Sequence, residues 1–463
     1  RRRRWDEQGM RVRSSIRVGA IAACAGALAL APGASAGVSE VGASGVGAPF
    51  FPRAGNGGYD VTEYDLRLAY QPRTDRLRAK AVVRAVEDAN GLPLGRFNLD
   101  FRGPRIASLR VDGVAAEFER DGAELVITPA APIADGAAFR TVVRYTGRPG
   151  PVTDPDGSKE GWIRTRDGAV ALGEPLGSTA WFPCNNHPTD KASFEVTLRT
   201  PRPAVGISNG ELVDRVRRGR HNVTHWRQEE PMATYLAVVA IGRFQIDRAR
   251  VAGIPYLGAL DVDPSAERRS ARLLRSRTKR AHLMLADVAG QYPFSATGGI
   301  VDPSSVGYAL ETQARPYYPS IPSTGLVVHE LAHQWYGDSV SPAQWDEIWL
   351  NEGFATYMEW LYDERSGGRS TERQFDLLHA AHGAGDSGFW NPPPAAVPGP
   401  EKLFAESVYD RGAMALQVLR EELGDADFFD LLAQWASGNE YGVADTDDLR
   451  ALIQSYTAGP VPP

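Results

Sequence analysis

The stretch Val327-Val328-His329-Glu330-Leu331-Ala332-His333-Gln334-Trp335 is an apolar helix with polar side chains set into it at chemically useful spacings. Side chains four apart on a helix stand one turn above each other, so the imidazoles of His329 and His333 reach one ion. Glu330 projects from the same side, next to the position of a metal-bound water. Histidine nitrogens suit Zn²⁺, and a catalytic zinc takes three protein ligands and keeps one position open. The third ligand is expected from Trp349-Leu350-Asn351-Glu352-Gly353-Phe354-Ala355-Thr356-Tyr357. There Glu352 follows His333 by 19 residues, room for a loop and a second helix folding back beside the first. The competing reading is a solvated surface pair of histidines. Val327, Val328, Leu331 and Trp335 oppose it, because unpaired polar groups are costly on an apolar helix.

The remaining histidines lack such a setting. His221 and His225 are also four apart, but in a strand-like segment where that spacing makes no common face. His379 and His382 have no nearby partner, and His187 and His282 are isolated; all are expected to be structural or surface residues.

Around the metal motif the spacing is helical, over 266–289, 326–336, 353–365, 374–382, 409–423 and 426–436. Upstream, short alternating runs at 61–69, 80–86, 96–101, 123–128 and 139–145 are broken by Gly, Pro and Asp. They continue through 193–200, 225–227 and 234–244, the pattern of an antiparallel β domain. The organisation predicted is α+β and multidomain: a β domain over 57–247, then a mostly helical metal-binding domain over 248–463. Residues 37–56, rich in Gly, Ala, Ser and Val, are expected to be a flexible linker.

A length of 463 residues suits two or more domains, and a net charge of −6 with scattered Lys and Arg gives no reason to expect nucleic acid. Arg11, Arg13 and Arg17 follow Met10 and precede an apolar run that ends in Ala34-Ser35-Ala36. That pattern predicts a signal peptide within 1–36, cleavage after Ala36 and a secreted product. The run is too short to span a membrane, so no span is expected in the mature form. Cys24 offers a lipidation reading, which the few apolar residues separating it from Arg17 disfavour. Cleavage leaves Cys184 alone, expected as a small buried hydrophobe.

Four further segments, in order, extend the pattern: Trp181-Phe182-Pro183-Cys184, Pro231 to Leu236 with Ile241-Gly242-Arg243-Phe244, Tyr308-Ala309-Leu310-Glu311-Thr312, and Val408-Tyr409-Asp410-Arg411-Gly412-Ala413. With the metal motif they resemble the aminopeptidase N family, gluzincin zinc aminopeptidases related to leukotriene hydrolase. The resemblance implies one Zn²⁺ on His329, His333 and Glu352, held in a thermolysin-like catalytic domain behind the β domain. It implies Glu330 as general base and Tyr409 as donor to the oxyanion. It also implies that Glu311, with Glu174 as a second acidic contact, pairs with the free α-ammonium of a peptide substrate. Leu172, Tyr308, Thr312 and Arg411 depart from the usual Gln, Gly, Asn and Lys, and Thr356 stands where related sites orient a zinc histidine with Asp. Ending at Pro463, the chain resembles a two-domain short form with an open site. Two rival functions are a zinc endopeptidase of thermolysin type, which Glu311 opposes, and a non-catalytic binding module, which Glu330 and Tyr409 oppose.

Overall fold

Tyr59–Gln71 and Arg76–Glu87 alternate buried and exposed residues over most of their length, as strands of a sheet packed on one face must. They pair at the centre of an eight-stranded sheet in a computed structural model describing residues 39–383 and 385–457. The expected signal peptide, its cleavage site and Cys24 lie outside the described residues. Across that sheet the order is Glu211–Arg218, His221–Ala233, Lys191–Pro201, Tyr59–Gln71, Arg76–Glu87, Ala138–Gly147, Arg105–Val111 and Val114–Ala115. Every pairing is antiparallel except Lys191–Pro201 with Tyr59–Gln71, which is parallel. A five-stranded sheet runs Pro151–Thr153, Lys159–Arg164, Ala169–Leu172, Val239–Gly242 and Val205–Ser208. Cys184 is free and fully buried beneath these sheets.

Residues 39–56 are packed instead of forming a flexible linker. Glu40–Val41 pairs with Leu94–Asp100, and Phe51 and Ala54 are buried, the Phe51 ring meeting Trp345 edge-on at 6.4 Å. The backbone N–H of Gly55 donates to Asp100 Oδ2 (3.2 Å) and that of Asn56 to Asn185 Oδ1 (2.6 Å). The small residues here serve close approach: a Cβ at Gly42 would lie 2.4 Å from the carbonyl oxygen of Gly57.

The segment after Asp247, expected to turn helical, first completes a hairpin. Gln245–Val251 and Ile254–Leu260 pair antiparallel around Ala252 and Gly253, both left-handed at φ 48° and 86°. That two-residue turn matches strand twist, and it keeps the chain extended across the expected boundary at 247/248. Thr297–Val301 and Tyr317–Tyr318 add in parallel, and eight helices follow or flank this sheet. They are α1 (Glu267–Ala289), α2 (Thr324–Ala332), α3 (Trp349–Arg365), α4 (Thr371–Ala381), α5 (Ser387–Trp390), α6 (Glu406–Leu423), α7 (Asp425–Gly438) and α8 (Thr446–Gln454). The sequence pattern had not indicated α8, which opens on a capping box between Asp445 and Asp448.

The β-rich and helix-rich halves are fixed to each other by polar and aromatic contacts. Lys191 Nζ donates to the carbonyls of Asp338, Ser339 and Gly442 at 3.1, 2.9 and 2.6 Å. Tyr235 donates to the carbonyl of Gly337 (3.2 Å) and packs its ring 5.0 Å from Trp345. Buried donors with this many acceptors make the seam a fixed part of the structure.

Candidate active site

Ser323 caps α2 by accepting the N–H of Leu326 at 3.0 Å, which starts the helix so that His329 and Glu330 fall on its buried side. The helix ends at Ala332, yet the N–H of His333 still donates to the carbonyl of His329 (3.3 Å). The one-turn spacing of the two imidazoles therefore survives. α3 begins at Trp349, which places Glu352 in its first turn and aims it back at α2. One ligand atom each from His329, His333 and Glu352 lies within 4.8 Å of the others. Glu352 Oε2 sits 3.1 Å from His329 Nε2 and 3.4 Å from His333 Nε2.

The outer nitrogens are also engaged. His329 Nδ1 lies 2.9 Å from Glu359 Oε1 and His333 Nδ1 lies 3.2 Å from the carbonyl of Tyr336. Those acceptors favour a proton on each Nδ1, the tautomer whose Nε2 can bind a metal. The donor set, buried and convergent, fits Zn²⁺ with one side open to a cavity. Burial raises the Glu352 carboxyl, but His333 and His329 outweigh it and hold the group at about 2, the acceptor form a metal needs. Glu359 was not identified from the sequence. It lies seven residues past Glu352, two turns along the same face of α3, and three past Thr356. Glu359→Gln is expected to weaken zinc affinity about 10- to 100-fold, read by chelator competition, with activity restored by excess zinc.

The open side is a cavity of about 530 Å³. Glu174 and Glu311 are both buried in its wall, and each keeps one Oε1 without a hydrogen-bond partner. Burial pushes both carboxyls up, and for Glu174 the neighbouring Glu311 adds repulsion. Among the described residues the lining holds no Lys or Arg, and for Glu311 the side chains that pull against the upward shift are His333 and His329. The Glu311 segment is tied to α2 through Gln334, a second residue missed in the sequence although it adjoins His333. Gln334 Nε2 donates to the carbonyl of Glu311 (2.7 Å), and its Oε1 accepts the N–H of Ala314 (2.6 Å).

The departures have local explanations. Leu172 is fully buried and is not in the cavity lining. The hydroxyl of Thr312 donates to the carbonyl of Arg315 (2.7 Å) and closes its own turn. Arg411 donates to the carbonyls of Trp390 and Pro392, both at 2.8 Å, so it braces a loop. Tyr308 crosses to the β-rich half and donates to the carbonyl of Lys159 (2.8 Å).

Tyr409 reaches the site because α3 and α6 cross backbone to backbone. A Cβ on Gly353 would lie 2.7 Å from Gly412 Cα, so neither position accepts a side chain. The Tyr409 ring then stacks near His329, centroids 6.0 Å apart and planes at 18°. Burial, then Glu352, Glu174, Glu311 and Glu330, push its pKa well up, so its hydroxyl is a standing donor. Glu330, also buried, is raised to about 8 by burial against the pull of His329 and His333. The other histidines do not assemble a second site: His225 pairs with Glu195, and His382 Nδ1 lies 2.9 Å from Asp386. Among the described residues His329, His333 and Glu352 are the one such group.

Residues 163–236 match the peptidase M1 N-terminal domain and residues 321–461 the peptidase family M1 domain. A crystal structure of an M1 zinc metallopeptidase from Deinococcus radiodurans, a glutamate-to-alanine mutant bound to a Tyr-Ser-Ala substrate, superposes with a TM-score of 0.78. It is 28% identical, over 90% of this chain and 95% of that one. Two peptidase family M1 models thus match in order, one in the β-rich part and one in the helix-rich part. The chain is similar to Aminopeptidase M1 of Arabidopsis thaliana, 27% identical over 63% of this chain and 36% of the relative. It is also similar to the tricorn protease-interacting factor F2 of Thermoplasma volcanium, 25% identical over 64% of this chain and 40% of the relative. The chain thus spans well under half the length of these curated relatives. Its β-sheet part followed by a helical catalytic part is the two-domain arrangement of the Deinococcus protein, and His329, His333 and Glu352 are the M1 zinc site.

Proposed function

We propose that this M1 chain is a zinc aminopeptidase that removes N-terminal residues from peptides outside the cell. The observation that carries the reading is the pair of buried carboxylates, Glu174 and Glu311, in the wall of the cavity beside the metal ligands, each with one oxygen that lacks a hydrogen-bond partner. Buried carboxylates without partners are costly, and an α-ammonium supplies the missing cation. Anchoring the amine there sets the first peptide bond over the catalytic residues, which is how a charge pair selects an exopeptidase register. Support also comes from similar M1 zinc metallopeptidase structures, which hold a Tyr-Ser-Ala substrate, L-tryptophan and L-arginine.

Bound zinc would polarise the scissile carbonyl and acidify the attacking water. Glu330 would accept the water proton and return it to the leaving amine. Tyr409 would donate its hydroxyl hydrogen to the developing oxyanion. Action outside the cell rests on the basic residues, apolar run and Ala34-Ser35-Ala36 of the N-terminal sequence. Among the described residues no helix is long and apolar enough to cross a membrane.

Hydrolysis of one peptide with a free or an N-acetylated terminus tests the reading. The free amine is expected to be cleaved at least about 100-fold faster, the scale of losing a buried charge pair. Equal rates would make the chain an endopeptidase.

A further inference from the structure

Glu160 stands in the strand Lys159–Arg164, fully buried and outside the cavity lining. Its Oε1 accepts the N–H of Leu176 (2.9 Å) and its Oε2 that of Gly177 (2.6 Å). Those are the second and third residues after Glu174. The turn closes tightly on the carboxylate, since a Cβ at Gly177 would lie 2.6 Å from Glu160 Oε2. Asn186 completes the hold by donating to the carbonyl of Pro175 (3.0 Å). The preceding residue, Lys159, accepts through its carbonyl the hydroxyl of Tyr308, three residues before Glu311. One dipeptide therefore grips both segments that bring carboxylates to the amine position. Burial first, then the neighbouring Asp154, keep the Glu160 carboxyl well above its usual range.

We propose that Glu160 is a positioning residue for amine recognition: it holds the Glu174 turn at the depth where Glu174 and Glu311 close on one ammonium, while Lys159 holds Tyr308 on the opposing side. The proposal rests on the aminopeptidase reading. Glutamine at this position keeps the shape but presents an N–H₂ to one of the two backbone donors, which loosens the turn without touching the metal. Misplacing a binding group by about 1 Å can cost up to about 100-fold.

The test is steady-state kinetics of Glu160→Gln with leucyl and alanyl aminomethylcoumarin, alongside zinc content. KM is expected to rise about tenfold for both substrates, with kcat within about twofold and zinc unchanged. An unchanged KM, or a fall in kcat with zinc loss, overturns the proposal. Tyr308→Phe serves if Glu160→Gln does not fold, because it removes only the hydroxyl bound to Lys159. It should raise KM for both substrates alike; Tyr308 also lines the cavity, so a rise confined to leucyl would place its effect on the side-chain pocket and overturn the brace. A wild type that cleaves acetylated peptide as well as free peptide would sink the aminopeptidase reading. A wild type that requires the amine, with Glu160→Gln unaffected, sinks only the role of Glu160.

Discussion

Glu330→Ala is expected to lower kcat by about 10²–10⁴-fold while zinc content and peptide affinity stay near wild type. The expectation follows from position. Glu330 lies between the two zinc histidines along α2, is buried and lines the cavity, yet it belongs to no metal-ligand group. Removing it takes away the proton acceptor and leaves the ligand cage and the Glu174–Glu311 pair in place. The checks are single-turnover hydrolysis, metal analysis and calorimetric binding of a tripeptide on the same preparation. Activity within tenfold of wild type would remove Glu330 from the proton path, and loss of zinc would make it part of the metal site. The folded protein should not suffer, because deleting a buried carboxyl whose pKa is pushed up to about 8 relieves a desolvation cost.

The metal ligands were legible because their signal is local. An i, i+4 histidine pair on an apolar helix has one face to occupy, and the glutamate segment had to fold back to complete a coordination set. Glu359 and Gln334 were within reach of the same helical arithmetic but carry no spacing rule of their own, and their roles appear only once α2 and α3 lie side by side. Glycine misled in residues 39–56, where a composition that reads as mobility is used for close packing around Gly42 and Gly57. The hairpin before α1 is weakly signalled because Gln245-Ile246-Asp247 lacks the alternation that Arg248-Ala249-Arg250-Val251 keeps, while the turn at Ala252-Gly253 is a strong local cue. Glu160 was invisible for a further reason. It acts through backbone N–H groups sixteen and seventeen residues away, a pairing set by sheet topology.

Glu311→Gln is expected to lower kcat/KM for free-amine peptides by roughly 30- to 5,000-fold, the span of 2–5 kcal/mol for breaking a buried hydrogen-bonded charge pair. Zinc should remain, because Glu311 is no metal ligand and its segment stays fastened to Gln334 through the backbone carbonyl, which the substitution keeps. The loss should be selective. Rates on an N-acetylated peptide should change little, so the ratio of free to acetylated hydrolysis collapses toward unity. Thermal stability supplies the sign that separates function from structure. Without substrate, Glu311 is a carboxyl that burial raises against the pull of His333, with an unpartnered oxygen, so neutralising it should leave the melting temperature equal or higher. A structural residue would behave in the opposite way, with melting temperature, zinc and activity falling together. Lower specificity with undiminished stability is what an amine-binding carboxylate predicts, because the unfavourable burial of Glu311 is offset only when an ammonium arrives.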